Sequence, residues 1–233
     1  MTTSRLFDVT TSFAASLARL GAGMQVAGVG RRPERPLVLY DFEACPYCRK
    51  VREALSILDL DAEIRPCPLG GTRFRPEVQR RGGKMQFPYL DDPNTRRALY
   101  ESDDIVRYLV AEYGDRTVPL ALALGPLTVV SSGLASLARL GRGASARASR
   151  VPTAPLELWS FEASPYCRLV REVLCELEIP YLLHNVAKGS AKREAFVARA
   201  GKMQVPWLWD PNTGQGLYES ADIVRYLETT YGA

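Results

Sequence analysis

Apolar residues along this chain follow two kinds of spacing, and each kind predicts a different element. Residues 37–41 form a short apolar run of strand composition that leads into a cysteine-containing turn. Val51, Leu55 and Leu58 then recur every three or four residues, which predicts a helix to about residue 58. The same pattern predicts, in order, a strand at 62–66, a helix at 75–81, a strand entered at 87–90, a turn at 92–95, a strand at 98–100 and a helix N-capped by Ser102. The predicted order is βαβαββα.

The second half of the chain repeats this pattern after 118 to 120 residues. "PLVLYDFEACPYCRKVRE" at Pro36 meets "PLELWSFEASPYCRLVRE" at Pro155, and "LYESDDIVRYLVAEYG" meets "LYESADIVRYLETTYG". Repeats of about 80 residues have the size of small domains, not of solenoid repeats. We therefore predict a leader with a short helix at 1–34, unit one at 35–115, a linker with a short helix at 116–153, and unit two at 154–233.

The leader and the linker share the letters "SLARLG", at Ser16 and again at Ser136. A leader rich in Arg, Ser and apolar residues also resembles a transit peptide. Because the same letters recur in mid-chain, where no cleavable signal can lie, we expect both segments to pack on the units. The apolar run at 118–130 is interrupted by Gly125 and Pro126 and is too short to span a membrane.

Composition restricts the classes of function. The 233 residues are 46% apolar and 24% charged, with net charge +4 and basic residues interspersed with acidic ones, which does not indicate a nucleic-acid interface. Five cysteines at irregular spacing make a poor disulfide framework, so we expect a reducing, cytoplasmic location. A single histidine, His184, excludes two-histidine zinc motifs and leaves no convincing Ser/His/Asp set, and it is expected to be structural.

The turn Cys45-Pro46-Tyr47-Cys48 carries the clearest chemistry. A cysteine at the start of a helix gains a lowered pKa from the helix dipole, and the neighbouring Arg49 and Lys50 are expected to add to this. Cys48, one helical turn later, is placed to attack a mixed disulfide formed on Cys45. Half of a metal site is the alternative, but zinc needs four ligands and there is no second C-x-x-C, so we predict no metal.

A proline follows an extended residue at the matching place in each unit, Pro88 after Phe87 and Pro206 after Val205. If the peptide bond before the proline is cis, the preceding backbone turns toward the cysteine turn and can pair with an extended ligand. A trans proline at the start of an edge strand is the alternative.

Taken in order, Cys-Pro-Tyr-Cys, x-Pro before a hairpin and Glu-Ser at a helix start resemble the thioredoxin-fold glutathione-binding domain. That domain is shared by glutaredoxins and the amino-terminal half of glutathione transferases. The resemblance implies an α/β fold of two tandem thioredoxin-like domains, without the all-helical second domain of transferases. The chain also resembles proteins with tandem transferase-like domains and, more distantly, prostaglandin E synthase type 2.

The resemblance also implies a site in unit one, with glutathione as the cofactor. Cys45 would be the nucleophile and Cys48 the resolving thiol, and the Phe87 backbone beside Pro88 would pair with the cysteinyl part of glutathione. The other residues it implies are Glu101 and Ser102 for the γ-glutamyl group, Lys84 for a carboxylate, and Tyr47 within the motif. Partners would be glutathione and disulfide or glutathionylated substrates, with the two domains packed on each other.

Unit two lacks the attacking sulfur, because Ser164 stands where Cys45 would be and leaves Cys167 alone. It keeps the remaining letters of the candidate site, Lys202, Val205, Pro206, Glu219 and Ser220. Unit two is therefore expected either to bind glutathione without disulfide exchange or only to pack on unit one. Cys67 and Cys175 are expected to be structural.

Three functions remain open from the sequence. The first is a glutathione-dependent thiol-disulfide oxidoreductase acting through Cys45. The second is a non-catalytic module that binds glutathione, an iron-sulfur cluster or a partner. The third is a transferase, or an isomerase of the prostaglandin synthase type.

Overall fold

The structure is a computed structural model that describes residues 10–12, 23–116 and 141–233. The predicted leader and linker are thus described only in part. Both "SLARLG" segments, apart from Gly141, lie outside the described residues. Within those ranges, no helix has the length and apolar character needed to cross a membrane.

The described helices and strands follow the predicted order βαβαββα in each unit. Unit one consists of β1 (Leu37–Asp41), α1 (Pro46–Ile57), β2 (Ala62–Pro66), α2 (Arg75–Gly82), β3 (Tyr89–Asp92), β4 (Arg97–Leu99) and α3 (Ser102–Tyr113). Unit two consists of β5 (Leu156–Ser160), α4 (Pro165–Glu176), β6 (Tyr181–Asn185), α5 (Arg193–Ala200), β7 (Trp207–Asp210), β8 (Gln215–Tyr218) and α6 (Ser220–Tyr231). The predicted α/β class with two thioredoxin-like units is confirmed.

The start of α3 differs from the prediction. Ser102 is not the N-cap but the first helical residue, and Glu101 occupies the N-cap position without a side-chain capping bond. Glu101 has φ 62°, in the left-handed region, so the chain turns into the helix one residue earlier than a serine cap would require. Glu219 begins α6 in the same way, also with φ 62°.

The strands form one eight-stranded sheet in the order β4-β3-β1-β2-β6-β5-β7-β8. Within each unit the first two strands are parallel and the hairpin is antiparallel. The units meet at the centre, where β2 pairs antiparallel with β6 and Glu63 lies opposite Leu182. This pairing satisfies backbone groups that an edge strand would expose, so each unit covers the other's open edge.

The core lies mainly on the sheet face covered by α1, α3, α4 and α6. Buried apolar residues from both units form one continuous cluster there, including Leu39, Leu55 and Ile105 of unit one and Leu158 and Leu174 of unit two. Two smaller clusters hold the helices of the other face, around Val78 in α2 and Phe196 in α5. In α1, every residue from Cys48 to Ile57 is buried, including four charged ones.

Candidate functional site

Cys45 is the N-cap of α1, which is where the sequence predicts the reactive thiol. Its backbone is extended, with φ −77° and ψ 121°, and Pro46 occupies the first helical position. The Cys48 backbone N–H donates to Cys45 Sγ at 3.3 Å, so the sulfur takes the place of a capping oxygen. In the turn at residues 42–48, called the thiol turn below, Glu43 and both cysteines are buried, Tyr47 is exposed and the other three residues are half-buried.

Electrostatics separate the two thiols of this turn. Hydrogen bonding from the Cys48 side chain lowers the pKa of Cys45, and the Arg52 charge lowers it further, against the effect of burial. Burial raises the pKa of Cys48 well above its ordinary value, and its hydrogen bond to Cys45 raises it further. Both cysteines are free thiols, so the turn holds one favoured thiolate beside one protonated neighbour.

The positive charge beside Cys45 does not come from the residues that the sequence suggests. Arg49 pairs with Glu53 at 3.2 Å, and the buried ammonium of Lys50 pairs with Asp103. Glu53 and Asp103 thus neutralise the two basic residues that follow Cys48. Arg52 is the arginine that acts on the thiol, although it also pairs with Asp41.

A second part of the candidate site lies between β3 and α3. The Phe87–Pro88 peptide bond is cis, and the Phe87 ring lies edge-on to Phe42 of the thiol turn with ring centroids 6.3 Å apart. Gln86 Nε2 donates to Glu101 Oε1 at 2.5 Å. The structure thus links the segment before Pro88 to the thiol turn on one side and to Glu101 on the other.

The remaining predicted residues of unit one differ in exposure. Ser102 is buried at the start of α3, whereas Tyr47 is 49% exposed. Lys84 is exposed, and its carbonyl accepts a hydrogen bond from Tyr100 Oη at 2.8 Å.

Unit two reproduces this geometry without the nucleophilic sulfur. Ser164 caps α4 with φ −70° and ψ 119°, and its Oγ accepts from the Cys167 backbone N–H at 3.2 Å. Val205–Pro206 is also cis, and Gln204 Nε2 donates to Glu219 Oε1 at 2.5 Å.

The other predicted residues of unit two are not equivalent in exposure or charge. Ser220 is buried, and Lys202 Nζ lies 4.3 Å from the centre of the Tyr218 ring. Burial raises the pKa of Cys167, so this single thiol is protonated at neutral pH.

The residues that sequence reasoning missed are the charges within the repeated motif. Arg52 Nε donates to Glu162 Oε2 across the units at 3.2 Å, and Arg171 Nε donates to Glu43 Oε2 at 3.2 Å. Each unit therefore gives an arginine to the other unit's glutamate. We call the buried set Asp41, Glu43, Arg49, Arg52, Glu162, Arg168 and Arg171 the charge cluster.

A sequence signal for the charge cluster was present. The letters "FEA" and "CRxVRE" occur in both units, and they contain Glu43 and Glu162, Arg49 and Arg168, and Arg52 and Arg171. A charged residue that recurs at the same helical position in both units suggests a buried partner. The partner's identity requires knowing that α1 and α4 face each other.

The remaining cysteines and the histidine are held within the structure. Cys67 and Cys175 are buried, and burial raises the pKa of both thiols. His184 lies between two carboxylates, with Nδ1 at 3.0 Å from Asp61 and Nε2 at 3.2 Å from Glu157. Among residues 10–12, 23–116 and 141–233, no group of three or more His, Cys, Asp or Glu side chains is arranged to hold a metal ion.

Comparison with known proteins adds a family. The model of the glutathione S-transferase N-terminal domain matches residues 39–117 and 158–233, one segment in each unit. The chain is 36% identical over 59 residues to the glutathione S-transferase-like protein tpcF of Aspergillus fumigatus, covering 25% of this chain and 26% of that protein. It is 31% identical over 77 residues to the glutathione S-transferase-like protein gedE of Aspergillus terreus, covering 33% and 34%.

These alignments are partial, so the chain spans about a third or less of the length of either relative. A solved structure, the glutathione transferase BmGSTD1 of Bombyx mori, is 30% identical with a TM-score of 0.33. That match covers 36% of this chain and 38% of the other.

Proposed function

The chain belongs to the family of the glutathione S-transferase N-terminal domain, and from this premise we propose a glutathione-dependent thiol-disulfide oxidoreductase that acts through Cys45. The observation that carries the proposal is the state of the thiol turn. Cys45 caps a helix and its pKa is lowered, whereas the pKa of each of the other four cysteines is raised. One thiol of five is thus prepared to act as a nucleophile.

In the proposed reaction, the Cys45 thiolate attacks the glutathionyl sulfur of a mixed disulfide. The Cys45–glutathione disulfide forms as the substrate's sulfur–sulfur bond breaks, and the substrate leaves as a thiolate that takes a proton from water. A second glutathione, as its thiolate, then attacks this disulfide, which releases oxidised glutathione and restores Cys45. Cys48 offers the alternative second step, in which it forms the Cys45–Cys48 disulfide and reduced glutathione leaves with the Cys48 proton.

We propose that glutathione lies against the segment before Pro88 and the start of α3. The Phe87 backbone would pair with its cysteinyl part, while Glu101 and Ser102 would bind its γ-glutamyl group. Support comes from the contacts that join Phe87 to Phe42 and Gln86 to Glu101, because they put this segment against the thiol turn and beside the start of α3. Tyr47 and Lys84 are exposed and available to a ligand. A reducing, cytoplasmic location is proposed with this activity, since all five cysteines are free thiols.

Turnover of a glutathione mixed disulfide by wild type, Cys45→Ser and Ser164→Ala tests the proposal. Cys45→Ser should lose the activity, because serine cannot form the mixed disulfide. Ser164→Ala removes the matching side chain of unit two and should turn over at the wild-type rate. Equal activity in wild type and Cys45→Ser would refute the role of Cys45.

Iodoacetamide labelling with peptide mapping at pH 6.5 gives an independent check. An ordinary thiol is only about 1% thiolate at this pH. Cys45 should exceed that fraction and the other four cysteines should fall below it, so Cys45 should be modified first. Earlier labelling of Cys67 or Cys175 would contradict the assignment.

A second candidate, glutathione binding by unit two without disulfide exchange, is favoured by one observation. The turn at Ser164 and the segment from Gln204 to Glu219 have the same backbone and hydrogen bonds as their partners in unit one. Transfer of glutathione to an electrophile, as the family name suggests, would use the Ser164 hydroxyl. Calorimetric titration of Cys45→Ser with glutathione tests the binding, and two sites per chain would support it.

A further inference from the structure

Side chains of unit two contact Glu43, the residue of unit one that lies two positions before the reactive Cys45. Arg171 of α4 approaches the Glu43 carboxylate with both arms of its guanidinium, Nε to Oε2 at 3.2 Å and Nη2 to Oε1 at 3.0 Å. Both side chains are almost completely buried. A two-point arginine contact fixes direction as well as distance, so unit two fixes the Glu43 side chain.

Unit two also contacts the backbone of Glu43. The Glu43 N–H donates to Cys175 Sγ at 3.4 Å, while the Glu43 carbonyl accepts from Arg52 Nη2 at 3.2 Å. Gly143 of the linker packs closely against Glu43, because a Cβ added to Gly143 would lie 2.7 Å from Glu43 Cβ. Glu43 is therefore contacted by unit two, by the linker and by Arg52 of its own unit. Two of these three contacts come from outside unit one.

The mirror contacts are present on the other turn, which carries no reactive sulfur. Ser56 Oγ accepts from the Glu162 N–H at 3.3 Å, as Cys175 does for Glu43. A Cβ added to Gly23 would lie 3.0 Å from Glu162 Cβ. The second-to-last residue of the helix after each turn is thus a hydrogen-bond acceptor, Ser56 in α1 and Cys175 in α4.

We propose that Arg171 and Cys175 of unit two are positioning residues for Cys45, so the unit without a nucleophile completes the reactive turn of the other. This inference rests on the proposed function. The charged groups that face Glu43 are Asp41 from β1, Arg52 from α1, and Arg168 and Arg171 from α4, with Glu162 on the far side of Arg171. Arg171 neutralises the carboxylate that lies two residues before the thiol in the chain, and with less of that neutralisation we expect Glu43 to oppose formation of the thiolate.

The rate of Cys45 alkylation as a function of pH, measured in the full chain, tests the inference. Arg171→Gln should raise the apparent pKa of Cys45 by about one, which is about tenfold less thiolate below that pKa. Adding Glu43→Gln should return the profile toward wild type, because the carboxylate that has lost its two-point arginine contact is then gone. The second substitution can also restore stability, because it removes a buried charge that has lost a partner, so the melting temperature of both variants is measured beside the profile.

Tyr231→Phe is the matched control for loss of stability. It removes a buried hydrogen bond to Asp210, whose other partners are Tyr226 and Asn212 and not members of the charge cluster. Its melting temperature should fall, while the Cys45 profile should stay at the wild-type pKa. If Arg171→Gln behaves like Tyr231→Phe, with a lower melting temperature and an unmoved profile, the inference is wrong.

A milder pair of variants decides the matter if Arg171→Gln does not fold. Cys175→Ser installs the acceptor that unit one already uses at Ser56 and should keep the wild-type alkylation rate. Cys175→Ala leaves the Glu43 N–H unpaired and should slow alkylation of Cys45 about threefold. Equal rates in the two variants would overturn the role of Cys175. If Arg171→Gln shifts the Cys45 alkylation profile but the wild-type protein does not reduce a glutathione mixed disulfide, the proposed function is refuted and this inference stands.

Discussion

Glu162→Gln should remove much of the stability of this protein, because Glu162 is the carboxylate shared by the arginines of both units. Its Oε2 lies 3.2 Å from Arg52 Nε and 3.0 Å from Arg171 Nη2, and all three side chains are at most 2% exposed. Glutamine fills almost the same volume without the charge. The substitution therefore tests electrostatics with little change in packing.

Two routes give the magnitude. Burial raises the pKa of Glu162, but the charges of Arg171 and Arg52 outweigh it and lower that pKa to about 2. A pKa lowered this far below the ordinary value for glutamate corresponds to about 3 kcal/mol. Breaking a buried pair by removal of one partner costs about 3–5 kcal/mol, because the other charge stays buried. For a chain of this length, that is a loss of about 6–20 °C in melting temperature.

Thermal unfolding at pH 7, followed by circular dichroism in low and high salt, is the assay. Arg225→Gln is the control, because Arg225 pairs with Asp222 on the surface at 3.2 Å with 73% of its side chain exposed. That change should cost less than about 1 kcal/mol. The effect of Glu162→Gln should persist in high salt, since a buried pair is poorly screened.

A loss smaller than about 1 kcal/mol for Glu162→Gln, equal to that of the surface control, would refute the reasoning. It would mean that water or a rearranged side chain compensates the arginines. Glu43→Gln provides the mirror experiment and should give a loss of similar size, since Glu43 pairs with Arg171 and Arg52 in the same way.

Two further predictions concern the serine turn and the acid side of the stability curve. In a Cys45→Ser background, Ser164→Cys should restore turnover of a glutathione mixed disulfide and form a disulfide with Cys167, because Ser164 has the backbone of Cys45. Turnover by the background itself at the wild-type rate, or no restoration although glutathione binds, would contradict this. Burial raises the pKa of Asp92, but hydrogen bonds from Tyr108, Tyr113 and Asn94 outweigh this effect and lower the pKa below its ordinary value. The ionised Asp92 therefore stabilises the fold above about pH 4, and this stabilisation is lost as the pH falls. Asp92→Asn should reduce stability at pH 7 and flatten its decline in urea unfolding below pH 4, and an unchanged acid slope would show that other carboxylates dominate.

The sequence alone determined the elements and the location of the thiol. Local spacing was sufficient for the strand at 37–41 and for the helix after the cysteine turn, because apolar periodicity and the N-cap position are set by neighbouring residues. The lowered pKa of Cys45 was predicted for the same reason, since a helix start is a local feature. The prediction of Ser102 as a cap was wrong because nothing local in Glu101 reveals a positive φ.

Only the tertiary structure decided what the repeated charges do. Arg49 and Lys50 stand beside the thiol in the sequence, but their charges are neutralised by Glu53 and Asp103. Arg52 and Arg171 find their carboxylates on the opposite unit, more than one hundred residues away in the chain. An ion pair depends on distance in space and on exclusion of water, and both are fixed only when β2 pairs with β6 and brings α1 against α4. The order of residues in the sequence gives neither the distance between two charges nor their exposure to water. The motif therefore predicted the thiol but not the ion pairs that hold the thiol turn.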